Sequence, residues 1–131
     1  KMGPKDLEKE LKKTAEKYWD LVADNNHSAI HNMLSSEDKK LIGKKDYIRR
    51  QKVLDKNVFY TVYGAKVETV KVEGKTGIVV VKVATDRGDV PGSTNFVLVK
   101  GKWYRVMTQQ NKDALMVGKS YKRFLKAHQS K

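Results

Sequence analysis

The chain has 131 residues, room for one domain and one core, since domains most often run to about 100–150 residues. It has no cysteine, which excludes a disulfide framework, a thiolate nucleophile and cysteine metal sites. Against 15 Asp and Glu stand 28 Lys and Arg, a formal charge of +13 that draws polyanions to the surface without selecting among them.

Pro4, Lys5 and Asp6 predict a helix start, with Pro favoured in the first turn and Asp6 placed where a negative charge suits the helix dipole. No apolar h-region follows, so no signal peptide is expected in this stretch. Leu7, Leu11, Ala15, Tyr18, Trp19 and Val22 then recur at spacings of three and four and mark one apolar face. Asp24, Asn25 and Asn26 predict a stop and a restart, because Asn tolerates the left-handed conformation and also caps helices. A short second helix over 27–34 presents Ile30, Met33 and Leu34. Ser35 to Asp38 can cap a further turn with Leu41 and Ile42 on its buried side, and Gly43 ends it. Lys44, Lys45 and Asp46 begin a third helix carrying Tyr47, Ile48, Gln51 and Leu54.

From Val58 the period changes to two. Residues 58–74 predict one long strand bent at Gly64, where a missing side chain permits a bulge. A turn at Glu73–Lys75, a wider loop at Asp86–Gly92 and a hairpin at Lys100–Lys102 divide the remainder, for four antiparallel strands. Along Ile78–Ala84, Val79, Val81 and Val83 share one face while Ile78, Val80 and Ala84 share the other, so both faces are apolar and each is expected to be covered. The C-terminal stretch or a second copy of the chain is the expected cover. In that stretch Tyr121, Phe124, Leu125 and His128 have helical spacing among lysines, which makes Tyr121, Phe124 and Leu125 candidate partner-binding residues on a basic amphipathic helix.

The expected fold is therefore α+β: three N-terminal helices packed on a bent four-stranded antiparallel sheet. A single domain spans 1–131, with its core at 5–109 and a basic, partly helical tail at 110–131. The wording of residues 15–54, AEKYWDLVADNNHSAIHNMLSSEDKKLIGKKDYIRRQKVL, resembles the small amino-terminal domains of Gram-positive penicillin-binding transpeptidases and related secreted lipoproteins. An aromatic first helix, a short helix running into Leu34-Ser35-Ser36, and a Lys-rich helix opening on Asp46-Tyr47-Ile48 carry that likeness. Phe96–Val99 leading to Gly101-Lys102-Trp103 is similar to the closing hairpin of the same group. The resemblance implies the cone-shaped nuclear transport factor two-like (cystatin-like) fold and an extracytoplasmic location. That superfamily holds enzymes, such as ketosteroid isomerase and scytalone dehydratase, and members that only bind or scaffold, so the fold does not choose an activity. This sequence shows no Asp or His at a cavity-facing strand position to serve as the base such enzymes use. No catalytic residue, metal or cofactor is assigned.

Each candidate site has a bland counterpart. Tyr18, Trp19, Tyr47, Tyr60, Phe96, Trp103 and Met107 could line an apolar cavity for a small molecule, together with Tyr63 and Tyr104, or they could simply fill the core, which aromatics more often do. His27 and His31 have the four-residue spacing of a zinc pair but neither an intervening acid nor a third ligand, and are expected as surface histidines. Asp86 and Asp89 read as turn chemistry rather than a catalytic pair. The basic residues are scattered over the helices without a nucleic-acid reading motif, so nucleic acid is a disfavoured partner and anionic wall polymer or membrane a better one. The leading expectation is a non-enzymatic binding or interaction module. A small-molecule-binding protein or enzyme using the aromatic cavity, a polyanion or nucleic-acid binder using the basic surface and a homodimer through the sheet stay open beside it.

Overall fold

The computed structural model describes residues 3–58, 60–115 and 126. Four helices precede the sheet: α1 (Pro4–Ala23), α2 (His27–Met33), α3 (Ser36–Leu41) and α4 (Lys44–Lys56). The strands β1 (Val62–Glu73), β2 (Thr76–Thr85), β3 (Gly88–Val99) and β4 (Lys102–Val106) form one antiparallel sheet in the order β1-β2-β3-β4, and α5 (Gln109–Leu115) follows. Three helices before the sheet was thus one too few. Ser35 accepts from the Asp38 amide at 3.3 Å, and this cap makes the segment after it a helix of its own rather than an extra turn. Tyr121, Phe124 and Leu125, and with them the expected amphipathic helix, lie outside the described residues.

Local chemistry sets the helix ends. The Gly3 amide donates to Asp6 Oδ2 at 3.3 Å, and Pro4 occupies the first turn. At the far end of α1, Asn25 takes φ 54°. The Asn25 amide donates to the Val22 carbonyl and the Asn26 amide to the Leu21 carbonyl, which is the Schellman arrangement that closes a helix. Asn26 then caps α2 by accepting from the Ala29 amide at 3.2 Å.

The sheet is a meander of short connections. β1 carries register shifts at Val62/Gly64 and Val67/Thr69, and Gly64 has φ 152°. Two bulges in one strand bend it and increase its twist. The expected loop over Asp86–Gly92 is instead a tight turn, with Thr85 paired to Gly88 and β3 already running from there. Pro91 is tolerated inside β3 because β4 pairs only with Asn95–Val99, which leaves Pro91 a neighbour on one side alone. β1 also begins later than the periodicity at Val58 predicts.

Helix α1 lies between two buried clusters. Leu11 and Ala15 pack with Val79, Val81, Val83, Phe96 and Trp103 of the sheet, whereas Tyr18 packs with Ile30, Leu34, Ile42, Tyr47, Met107 and Leu115. Trp19 touches both clusters and donates from Nε1 to Thr94 Oγ1 at 3.2 Å. Trp103 Nε1 donates to the Leu7 carbonyl at 3.1 Å and so ties β4 to the first turns of α1. Gly77 makes this approach possible, since a Cβ there would run into Leu11 Cδ2 and lie 3.2 Å from Trp103 Cζ3. Ile42 is buried as expected, but Leu41, expected beside it, is 42% exposed.

Candidate functional site

Six of the seven candidate cavity residues are packed into the two clusters. Tyr18, Tyr47 and Met107 belong to the helical cluster, Phe96 and Trp103 to the sheet cluster, and the partly buried Trp19 joins them. Tyr60 departs from this group. It is 49% exposed and lines a groove of about 370 Å³ with Val22, Ala23, Asn25, Asp55 and Val58.

The two histidines expected at the surface are buried, His27 at 8% and His31 at 6% exposure. Both rings pack on Tyr47, with centroids 6.5 and 5.4 Å away. His31 Nε2 lies 2.9 Å from the Ile42 carbonyl, a donor's position, and His27 Nε2 lies 2.6 Å from Asp55 Oδ2. Their shared face thus holds α2 against α4 and the segment before it. Among the described residues no set of three His, Cys, Asp or Glu could hold a metal ion.

Several polar groups around Tyr47 and Tyr18 bond to one another, while His27 Nδ1 and Arg105 Nε are buried without a hydrogen-bond partner among the described residues. Gln51 Nε2 donates to the Tyr47 hydroxyl at 3.2 Å, and burial is the largest cause raising the phenol above its ordinary pKa. The Arg105 guanidinium lies 4.8 Å from the Tyr18 ring centroid and donates to Asn111 Oδ1 at 2.8 Å. Asp38, 2% exposed, accepts from the Met107 amide at 2.7 Å, with Lys112 Nζ 3.9 Å from its other oxygen. These contacts join α3, α5 and the end of β4. Asp86 is structural in the same way, since its Oδ1 accepts from the Thr61 amide at 2.8 Å.

The sequence reading missed Arg105 and the His27–Asp55 pair. Arg105 was within reach of it, because Trp103, Arg105 and Met107 alternate on one face and a charge at an inward position demands a partner. The histidine pair joins residues 28 apart and has no signal in local spacing.

The outer face of the sheet has a different character. Register pairs Ile78 and Val80 of β2 with Asn95 and Ser93 of β3, on the side away from α1, and Val97, opposite Thr76, with Tyr104 of β4. Ile78 is 47% exposed and Val80 36%, so among the described residues no element covers this face. Lys66, Lys82 and Lys102 stand on it, all exposed. Lys102 Nζ and Lys39 Nζ lie 5.6 and 5.9 Å from the centroid of the Tyr104 ring. Lys71 is paired with Glu73 at 2.8 Å.

The sequence matches no family model and no curated protein. Among solved structures it is similar to a SEC-C motif containing protein from Rhodopseudomonas palustris, with TM-score 0.48 and 15% identity over 66% of this chain and 67% of that one. It is also similar to a protein from Campylobacter jejuni described as a nuclear transport factor two-like transpeptidase (TM-score 0.46, 14% identity, 82% of this chain and 100% of that one). A de novo designed protein with a curved β-sheet overlaps at TM-score 0.48 and 16% identity, over 87% of this chain and 94% of that one. These values describe a loose likeness in architecture.

Proposed function

We propose that this protein is a non-enzymatic interaction module of the nuclear transport factor two-like superfamily that lays the outer face of its sheet on an anionic lipid surface. The observation that carries the reading is the combination on one face of exposed Ile78 and Val80 with Lys66, Lys82 and Lys102. Apolar side chains flanked by long cationic ones suit an interface in which the aliphatic stems enter and the ammonium groups stay with the headgroups. Each lysine near an anionic membrane contributes about 1 kcal/mol. The overall charge of +13 adds attraction at a distance.

The C-terminal stretch, expected as a cover, lies outside the described residues from 116 to 125, and two further occupants fit this face less well. A second copy would set one lysine-bearing face against another, and such like-charge juxtaposition costs several kcal/mol (roughly). Nucleic acid bound on a sheet is held by aromatic stacking platforms, whereas the centre of this face is Ile78 and Val80 paired with Asn95 and Ser93, with no aromatic ring among them. An extracytoplasmic location belongs to the same proposal and rests on the wording of residues 15–54 alone.

Co-sedimentation with vesicles tests the proposal. Binding is expected with phosphatidylglycerol in phosphatidylcholine, is expected to fall steeply as salt rises, and is expected to be lost in the Ile78→Ser, Val80→Ser double variant and weakened in Lys66→Glu, Lys82→Glu. Equal binding to pure phosphatidylcholine, or binding that ignores both variants, overturns it. So does sedimentation equilibrium at twice the monomer mass that the double variant abolishes, which would assign the face to a second copy.

A further inference from the structure

The groove beside Tyr60 lies where two helices end. Val22, Ala23 and Asn25 form one wall at the C-terminus of α1, Asp55 a second near the C-terminus of α4, and Val58 and Tyr60 the approach to β1. Its volume of about 370 Å³ falls in the range of small-molecule sites, which begins near 300 Å³ (roughly).

Both helices point the negative ends of their dipoles here. The last turn of α1 carries no basic residue, and its C-cap is Asp24. Asp55 adds a carboxylate, 40% exposed, that is held on one oxygen by His27 Nε2 at 2.6 Å. Asp86 is bonded to the amide of Thr61 on the same wall. In a chain with 28 Lys and Arg, none of the described residues lining the groove is basic. Lys56, in the last turn of α4, is exposed and stands outside the lining. The groove's described lining thus carries one acidic side chain and no basic one, in a chain whose net charge is positive.

We propose that this groove binds a small organic ammonium ion with an apolar body. The cationic head pairs with the Asp55 carboxylate, the Tyr60 ring offers its face to the head or to the adjoining methylenes, and Val22 and Val58 cover the apolar part. An anion would meet Asp55 and two negative helix ends, and a wholly apolar ligand would dehydrate the carboxylate oxygen that His27 does not hold. This site is independent of the sheet face, which lies away from α1.

Titration of the whole chain with benzyltrimethylammonium, followed by amide chemical shifts, tests the assignment, with benzyl alcohol and benzoate as neutral and anionic counterparts. Saturable shifts are expected at the amides of Ala23, Asn25, Asp55 and Thr61, with at least about tenfold weaker binding for benzyl alcohol and for Asp55→Asn, the loss typical of a charge-assisted contact. Tyr60→Ala changes an exposed side chain, leaves the fold intact, and is expected to weaken binding about two- to fivefold. Asp55→Asn is compared at a temperature where its spectrum keeps the native dispersion, and Tyr60→Ala decides the matter if that variant does not fold. Shifts that never saturate, that spread over the surface, or that the alcohol or benzoate reproduces at equal concentration overturn the proposal, as does a Tyr60→Ala variant with unchanged affinity.

Discussion

Tyr47 is 2% exposed, against two histidine rings and with Gln51 bonded to its hydroxyl. Burial, and after it the neighbouring Tyr18, raises its pKa above 10.0, and the Gln51 hydrogen bond opposes them more weakly. The folded chain therefore holds the proton more tightly than the unfolded chain does. A raised folded value means that the stability it contributes is fully present below the unfolded value near 10.0 and is lost as pH rises through the folded one. Each pH unit between the two values corresponds to about 1.4 kcal/mol. Urea midpoints are expected to drop more steeply above pH 10 (roughly) in the native chain than in Tyr47→Phe, which keeps the ring and removes the proton. Parallel curves would count against the assignment. His27 and His31 teach a related lesson at this scale. Spacing along the chain placed them on one helix face, but only the partners brought by Asp55 and the Ile42 carbonyl decided that the face is buried.

Turns show best how far local chemistry reaches at the scale of elements. Lys100 and Gly101 both have positive φ, 51° and 78°, between Val99 and Lys102, the pairing that closes the last hairpin. A two-residue hairpin loop with both residues left-handed is the type I′ pattern, which favours Asn or Gly at the first position. Lys100 bears a steric cost that Asn would reduce. Lys100→Asn is expected to stabilise the chain by about 0.5–1 kcal/mol, read as a higher urea midpoint with an unchanged slope. An unchanged or lower midpoint would mean that the Lys100 side chain contributes more than its backbone costs. The hairpin was legible because Gly101 announces it. The β2–β3 turn was misread as a loop because Arg87, Gly88, Asp89 and Pro91 all carry turn propensity, yet pairing of Gly88–Gly92 with Val81–Thr85 outweighs it. The short α3 is the reverse case, where a local cap at Ser35 defines a helix that an apolar period could not.

For the molecule as a whole, charge and packing act on different parts. The charge of +13 repels itself on a surface this small, so urea stability is expected to rise as salt increases from low to physiological ionic strength, where the screening length falls to about 8 Å. Flat or falling stability over that range would show that local pairs such as Lys71–Glu73 dominate the surface field. Element order, the antiparallel meander and most of the core were decided by the sequence itself, because a change of apolar period from 3.6 to 2 and the turn residues act within a few neighbours. Alternation alone puts Val79, Val81 and Val83 on one face, and packing against α1 made that face the buried one. Tertiary structure decided the rest. It divided the aromatics between two clusters on either side of α1, left Tyr60 outside both, exposed Ile78 and Val80, and brought the ends of α1 and α4 together around Asp55. Those outcomes depend on which surfaces meet across many residues of chain, and no local period encodes that.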